Sequence, residues 1–183
     1  MHTNDSLRPA DSRTEVTTRR RLLHMAATLG ATAPGIDETV AAVRKAVGDD
    51  PRQIAQTILI GHSVGSRALL AYLSRHGAHR TFAGLVSVAG WFRVDDVTSY
   101  PAVAPWVNMD LNFASIASRA GPIAVLLSDN DPFTADWRAN AADWLGRLGA
   151  TVHIGHGAGH YMTANPGPVL DMIQVASLRA MAR

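Results

Sequence analysis

The chain of 183 residues has no cysteine. This excludes a disulfide framework, a thiolate nucleophile and a cysteine-based zinc site, so no metal centre is expected. It also has no long apolar run: nothing approaches the roughly 18 consecutive apolar residues of a membrane span, so no membrane association is expected. Charge of one sign is missing too. Seventeen Lys and Arg against 15 Asp and Glu leave a formal net charge of +2, which gives no electrostatic reason to expect a nucleic-acid partner. What remains is the composition of one ordinary globular domain, long enough to bury a substantial core.

The first 33 residues differ from the rest. Met1 to Thr18 is polar with no sustained period and reads as a loosely attached tail. Arg19-Arg20-Arg21-Leu22-Leu23 then leads through a weakly apolar stretch to Ala31-Thr32-Ala33. Paired arginines ahead of such a stretch resemble a twin-arginine export signal. His24, Thr28 and Thr32 dilute it, and a basic turn leading into a short helix is the competing reading. The expected division is therefore a polar, basic tail over 1–33 and a folded domain over 34–183. The expected location is the cytoplasm, with export as the alternative.

The folded part is organised around Thr57-Ile58-Leu59-Ile60-Gly61-His62-Ser63-Val64-Gly65-Ser66. A short apolar run feeds into Gly-x-Ser-x-Gly, and Arg67-Ala68-Leu69-Leu70-Ala71-Tyr72-Leu73 continues with alanine and leucine at helical spacing. This predicts strand, sharp turn and helix, the context of a nucleophile elbow. The turn would lift the Ser63 hydroxyl above a sheet edge. The amide of Val64 and the positive end of the helix dipole would face any negative charge developing there.

The remaining elements follow a βα alternation. Asp37 to Val47 is an amphipathic helix with Val40, Val43 and Val47 on one face, stopped by Gly48-Asp49-Asp50-Pro51. Phe82 to Gly90 is a second buried strand that delivers Trp91 and Phe92 to the edge holding Ser63. Tyr100 to Ala120 has no clean period and reads either as a cap over that edge, with Pro105-Trp106-Val107 as its apolar contact, or as a surface excursion. Ile123 to Leu127 is a third strand running into Ser128-Asp129-Asn130-Asp131-Pro132-Phe133. Trp137 to Leu148 is a helix with Ala142, Leu145 and Leu148 on one side. Thr151 to Ile154 is a fourth strand, ending in Gly155-His156-Gly157-Ala158-Gly159-His160-Tyr161, and an amphipathic helix closes the chain from about Pro168. The expected fold is α/β, with a mostly parallel sheet of about four recognisable strands flanked by helices.

Successive strand ends deliver a serine, an acid and a histidine in the order used by α/β-hydrolases. A serine hydroxyl is a weak nucleophile until a neutral imidazole takes its proton, and a carboxylate on the other ring nitrogen fixes the tautomer. Asp131 is preferred to Asp129 because it lies deeper in its loop beside Pro132. His160 is preferred to His156 because the glycines at 155, 157 and 159 let the backbone carry the later residue over the sheet edge. His62, Trp91, Phe92 and Trp106 are the candidate substrate-binding residues, the aromatics suggesting an apolar acyl or aryl group. No cofactor is needed for this chemistry.

Gly-His-Ser-Val-Gly, Ser-Asp-Asn-Asp-Pro-Phe, Ala-Gly-Trp-Phe and the late Gly-His-Tyr together resemble the small serine hydrolases related to retinoblastoma-binding protein 9 and its bacterial relatives, over about Pro34 to Val175. The resemblance implies an α/β-hydrolase fold with little or no lid and cofactor-free hydrolysis of small esters or amides. It also implies a triad of Ser63, Asp131 and His160. Such proteins begin with a strand ending in His-Gly, whose following loop donates part of the oxyanion hole. No strand is recognisable before Pro34, and no His-Gly pair precedes Gly61. The expectation is therefore a reduced fold, with Val64 as the recognisable oxyanion donor. Activity should be weakened on the order of a hundred- to thousand-fold by loss of the other donor. The strand from Thr57 would offer a bare edge for a second copy or a protein partner. A start inside a longer reading frame would also explain the gap. The rival reading is a catalytically impaired interaction module that keeps the triad by descent.

Overall fold

Short runs of Ile, Leu and Val separated by amphipathic helices bury both faces only as parallel strands with helices packed over them. The computed structural model describes residues 21–26, 35–76, 81–162 and 167–181, and in it five strands lie side by side in chain order, every neighbouring pair parallel. They are β1 (Arg21–Ala26), β2 (Thr57–His62), β3 (Gly84–Val88), β4 (Ile123–Ser128) and β5 (Thr151–Gly155). The helices are α1 (Ile36–Val47), α2 (Pro51–Gln56), α3 (Val64–Arg75), α4 (Ala104–Val107), α5 (Phe113–Ala120), α6 (Trp137–Leu148) and α7 (Gly167–Met181), with a 3₁₀ turn at Pro101–Val103.

Strand alternation divides the core into two layers. Leu59, Leu85, Val125 and Leu127 face one side, where they pack with Val40, Val43 and Val47 of α1, Leu69, Leu70 and Leu73 of α3, Ile116 of α5 and Trp144 of α6. Ile58, Ile60, Val86, Val88, Ala124 and Leu126 face the other side with Met172, Val169 and Ile173 of α7. Strands added in one direction by crossovers of one hand put their helices on one face, which leaves the opposite face to α7. α3 is buried continuously from Val64 to Leu73 between the sheet, α1 and α5. Each fully buried leucine there contributes about 1.5–3 kcal/mol, so burial holds the helix that follows Ser63 firmly against the sheet.

Two expectations are corrected. The first concerns β1. Arg21–Ala26 pairs with β2 along its whole length, Leu23 opposite Leu59 and Ala26 opposite His62. The sheet therefore has five strands, and β2 is not a bare edge. An outer strand has only one hydrogen-bonded neighbour and tolerates Arg21 and His24 among its apolar residues, so a search for an uninterrupted apolar run passes over it. Residues 21–26 of the expected tail thus belong to the sheet. Met1 to Arg20 and Ala27 to Pro34, with Arg19-Arg20 and Ala31-Thr32-Ala33, lie outside the described residues. No helix among the described residues is long and apolar enough to cross a membrane.

The second correction is the face of α6. Trp144 and Leu148 are buried, whereas Ala142 and Leu145 face outward, Leu145 being 63% exposed. The buried stripe runs 140, 144, 148 at i+4 spacing, and Asn140, a polar residue, is part of it. Beyond α1, which ends at Val47 ahead of Gly48-Asp49-Asp50-Pro51, the chain forms another helix. Pro51 occupies the first turn of α2, where its missing N–H costs nothing, and Asp50 caps it by accepting from Arg52 N at 2.9 Å.

A chain beginning at Gly35 is expected to lose thermal stability and to associate through the uncovered β2 edge. Circular dichroism melts and light scattering against the full chain check this; identical melting and a monomer would mean that β1 contributes nothing to the sheet.

Candidate active site

The carboxyl ends of the five parallel strands gather the candidate residues on one edge. Ser63 follows β2 directly with φ 52° and ψ −124°, a backbone conformation that costs a non-glycine residue on the order of 1–3 kcal/mol. Its amide continues the ladder by donating to Val88 O at 2.9 Å, and its carbonyl accepts from Ser66 N at 2.9 Å. A serine at the start of a helix normally caps it with its hydroxyl. Here the side chain makes no cap, and the Oγ is left for other partners.

The residues around the turn have no room to be otherwise. A Cβ on Gly61 would come within 2.7 Å of Ser66 N and Cα, so glycine at 61 is what lets α3 start directly against β2. Ser66 Oγ donates to Gly61 O at 3.0 Å and accepts from Ser87 Oγ at 2.9 Å, which satisfies two buried hydroxyls between α3 and β3.

The histidine and the acid are joined by a run of contacts between two loops. Ala158 N donates to Ser128 Oγ at 3.1 Å, Gly157 N to Asp129 Oδ1 at 2.8 Å, and Gly159 N to Asn130 Oδ1 at 2.7 Å. Tyr161 OH donates to Leu127 O at 3.0 Å, and a Cβ on Gly155 would collide with that hydroxyl at 2.0 Å. The result is two parallel His–Asp pairs. His160 Nδ1 lies 2.7 Å from Asp131 Oδ2, with both side chains buried. His156 Nδ1 lies 2.8 Å from Asp129 Oδ2 with the imidazole 88% exposed. The Gly157 amide and then His156 hold the Asp129 carboxyl below the usual carboxylate range. Phe133 N donates to the other oxygen of Asp131 at 2.9 Å.

His62, the residue before the serine, donates from Nε2 to His160 O at 2.8 Å, and the two rings meet edge to face at 5.1 Å. Phe133 closes the other side of His160 at 4.7 Å between ring centroids. The described hydrogen bond to Ser63 Oγ comes from Trp91 Nε1 at 3.4 Å; none joins it to the His160 ring.

A cavity of about 10 Å³ adjoins Ser63, lined by Trp91, Val94, Tyr100, Val103 and Phe133. Of the expected aromatic wall residues, Trp91 is there. Phe92 is not: its ring lies 4.8 Å from that of Trp144, tilted at 59°. Trp106 is buried beside Val64, Ala68, Trp91 and Val103 without lining the cavity. From the stretch Tyr100 to Ala120, Tyr100 and Val103 line the cavity, whereas the expected contact Pro105-Trp106-Val107 does not. Val94, Tyr100, Val103 and Phe133 were not legible as a set; only the aromatic directly after Asp131-Pro132 offered a signal. Among the described residues no group of three His, Asp or Glu could hold a metal ion.

Comparison with solved structures finds the same fold in several of them. The ydeN gene product of B. subtilis superposes with a TM-score of 0.63 at 18% identity, over 78% of this chain and 75% of that one. A crystal structure from work on carboxylesterases of the thaumarchaeon Nitrososphaera gargenis gives 0.60 at 10% identity, over 86% and 76%. A lipase-esterase related protein from Clostridium acetobutylicum gives 0.55 at 11%, over 84% and 80%. At these identities the likeness is one of fold. No curated protein matches the sequence. A family model described as serine hydrolase matches residues 13–167, a span that takes in β1, the Ser63 turn and both loops of the histidine and acid. The chain belongs to the serine hydrolase family.

Proposed function

We propose that the protein cleaves small ester or amide substrates as a carboxylesterase-like enzyme, through Ser63, His160 and Asp131 and an acyl-enzyme. The observation that carries this reading is the buried His160–Asp131 pair, fastened beside the serine by the bond from His62 to the His160 carbonyl. A carboxylate can only accept, so Asp131 holds the proton on Nδ1 and leaves Nε2 as the base.

The serine hydroxyl leaves its weak 3.4 Å contact with Trp91 for His160 and attacks the carbonyl as Nε2 takes its proton. Negative charge on the carbonyl oxygen meets the Val64 amide and the start of α3. His160 then protonates the leaving group, and water, activated by the same imidazole, releases the acid. The expectation of weakened activity rests on loss of the second oxyanion donor, carried by the loop after a strand that ends in His-Gly. β1 ends beside the turn, with Ala26 opposite His62, but the sequence has no His-Gly pair there and the residues that follow Ala26 lie outside the described ones, so the expectation stands.

The roles separate by mutation. Fluorophosphonate labelling of the full chain should map to Ser63 alone. Ser63→Ala is expected to lower kcat by about 10⁶-fold and Asp131→Asn by about 10⁴-fold, with unchanged folding by circular dichroism. Asp129→Asn should leave kcat near that of the parent; a large loss there with a small one at Asp131 would reverse the assignment of the acid.

The cavity at Ser63 holds about one water, which suits the methyl of an acetyl group. Hydrolysis of p-nitrophenyl esters should therefore favour acetate over butyrate and octanoate, kcat/KM falling about tenfold or more for each lengthening. Val103→Ala should recover butyrate. A preference for octanoate in the parent would refute the size limit.

A further inference from the structure

The cavity at Ser63 has a hydrogen-bond donor in its wall, the indole N–H of Trp91. An indole donates and cannot accept. Trp91 is 2% exposed, and its described bond is the one to Ser63 Oγ at 3.4 Å. The step that activates the serine breaks that bond, because Oγ leaves Trp91 to give its proton to His160. A buried N–H is then left without a described acceptor, which is unfavourable until another oxygen takes the place of Oγ. The oxygen that arrives at this moment belongs to the substrate and sits on the carbon that Oγ attacks.

The indole is held on several sides. Gly90 O accepts from Trp144 Nε1 at 3.0 Å and Phe92 N donates to Asn140 Oδ1 at 2.7 Å, so the backbone before and after Trp91 is pinned to α6. The ring packs in one cluster with Val64, Ala68, Val103 and Trp106. Val64 carries the recognisable oxyanion amide, so Trp91 stands on the side of the serine where negative charge develops. Arg67, one helical turn beyond Ser63 on α3, donates from Nε and Nη2 to Trp106 O at 3.0 and 2.7 Å. Its guanidinium carbon lies 5.8 Å from the Trp91 ring and 5.1 Å from that of Phe92, which lines a separate cavity of about 340 Å³ with Arg67, Arg93 and Arg147. Burial and then the charge of Arg147 bring the Arg67 pKa down to about 10, which leaves it a cation at neutral pH. A cation against the face of an indole holds the ring and, by drawing electron density from it, strengthens the N–H as a donor.

We propose that the Trp91 indole N–H is a second hydrogen-bond donor to the carbonyl oxygen of the substrate, beside the Val64 amide; the proposal rests on the hydrolytic reading of Ser63. In the attack the bond from Oγ to the carbonyl carbon forms, the π pair of the C=O bond passes to its oxygen, and the Oγ proton passes to His160 Nε2. The N–H released by Oγ donates to that oxygen as its charge develops. A donor that holds the resting hydroxyl weakly and the oxyanion strongly lowers the barrier without tightening ground-state binding, so its removal shows in kcat. Trp91 thereby offsets part of the loss expected where the sequence has no His-Gly pair.

Trp91→Phe in the full chain keeps an aromatic ring and removes the N–H. With p-nitrophenyl acetate its kcat should fall about 100-fold, while KM and the pH profile of kcat/KM stay near the parent's because His160 and Asp131 are untouched. Fluorophosphonate labelling of Ser63 should slow in step, since the phosphoryl oxygen takes the oxyanion position. A second measurement needs no variant. Trifluoroacetone adds to Ser63 as a hemiketal oxyanion, and the Trp91 Nε1 proton, assigned in NMR spectra through its contacts with Val64 and Val103, should move downfield. A variant kcat equal to or above the parent's would mean that the contact merely restrains the resting serine. That result, a loss carried by KM or by a shifted pH profile, or an indole proton that does not move in the hemiketal would overturn the proposal. Labelling of the parent separates it from the hydrolytic reading: a labelled Ser63 with an unaffected Trp91→Phe removes the donor role alone, whereas an unlabelled Ser63 removes both.

Discussion

The placement of His160 at the carboxyl edge of the sheet depends on the seam between the loop after β4 and the loop after β5. Ser128, Asp129 and Asn130 each accept a backbone amide from Gly157 to Gly159, and Asp131 meets His160. No single bond in such a set is worth much more than about 1 kcal/mol net. Their value is geometric, because two loops that share a ladder of bonds can shift only together. The imidazole at the end of the ladder is thereby fixed relative to β4 and, through His62, relative to the turn after β2. The seam also distinguishes two otherwise similar histidines. His156 pairs with an acid that faces solvent, whereas His160 pairs with one sealed under Phe133.

The serine side of the edge is held by different physics. Ser63, Ala89 and Tyr161 all adopt positive φ without being glycine, each at or near the point where the chain leaves a strand. Such strain persists only where surrounding contacts over-determine the backbone. They do so here. Ser63 is tied to β3 through Val88 O, and Ala89 to β4 through Leu126 O at 2.8 Å. The α3 helix behind the serine is buried over ten residues from Val64 to Leu73. The hydroxyl is thus presented by a helix buried from its first residue, and the imidazole of His160 by a seam that ties two loops together.

Much of this was legible in the residues, and the reasons it was legible mark where it stopped. β2 and α3 announced themselves because a continuous apolar run, Gly-x-Ser-x-Gly and an Ala/Leu helix repeat all agree at one place. Asp131 and His160 were reachable through strand order, and the glycines around His160 gave the clue to its loop. β1 was not legible because an outer strand carrying Arg21 and His24 has neither a clean alternation nor a long apolar run. The role of Arg67 was hidden for the opposite reason. An arginine in a helix reads as a solvated face, and only the packed structure places its guanidinium under Trp106 and against Phe92.

The pair Trp91-Phe92 shows how one backbone turn partitions the molecule. Gly90 sits so close to α3 that a Cβ would approach Ser87 Oγ to 2.0 Å and Ser66 to 2.8 Å, and its carbonyl accepts from Trp144 Nε1 at 3.0 Å. Asn140 then clamps the next step, accepting from the amides of Phe92 at 2.7 Å and Arg93 at 3.0 Å and donating to Arg93 O at 3.0 Å. With the chain fixed at these points, adjacent aromatic side chains leave on opposite sides. Trp91 walls the small cavity at Ser63, and Phe92 walls the larger arginine-lined one. The guanidinium of Arg67 lies against both rings. Asn140 and Trp144 of α6, through their bonds to the amides of Phe92 and Arg93 and to Gly90 O, therefore hold the partition in place.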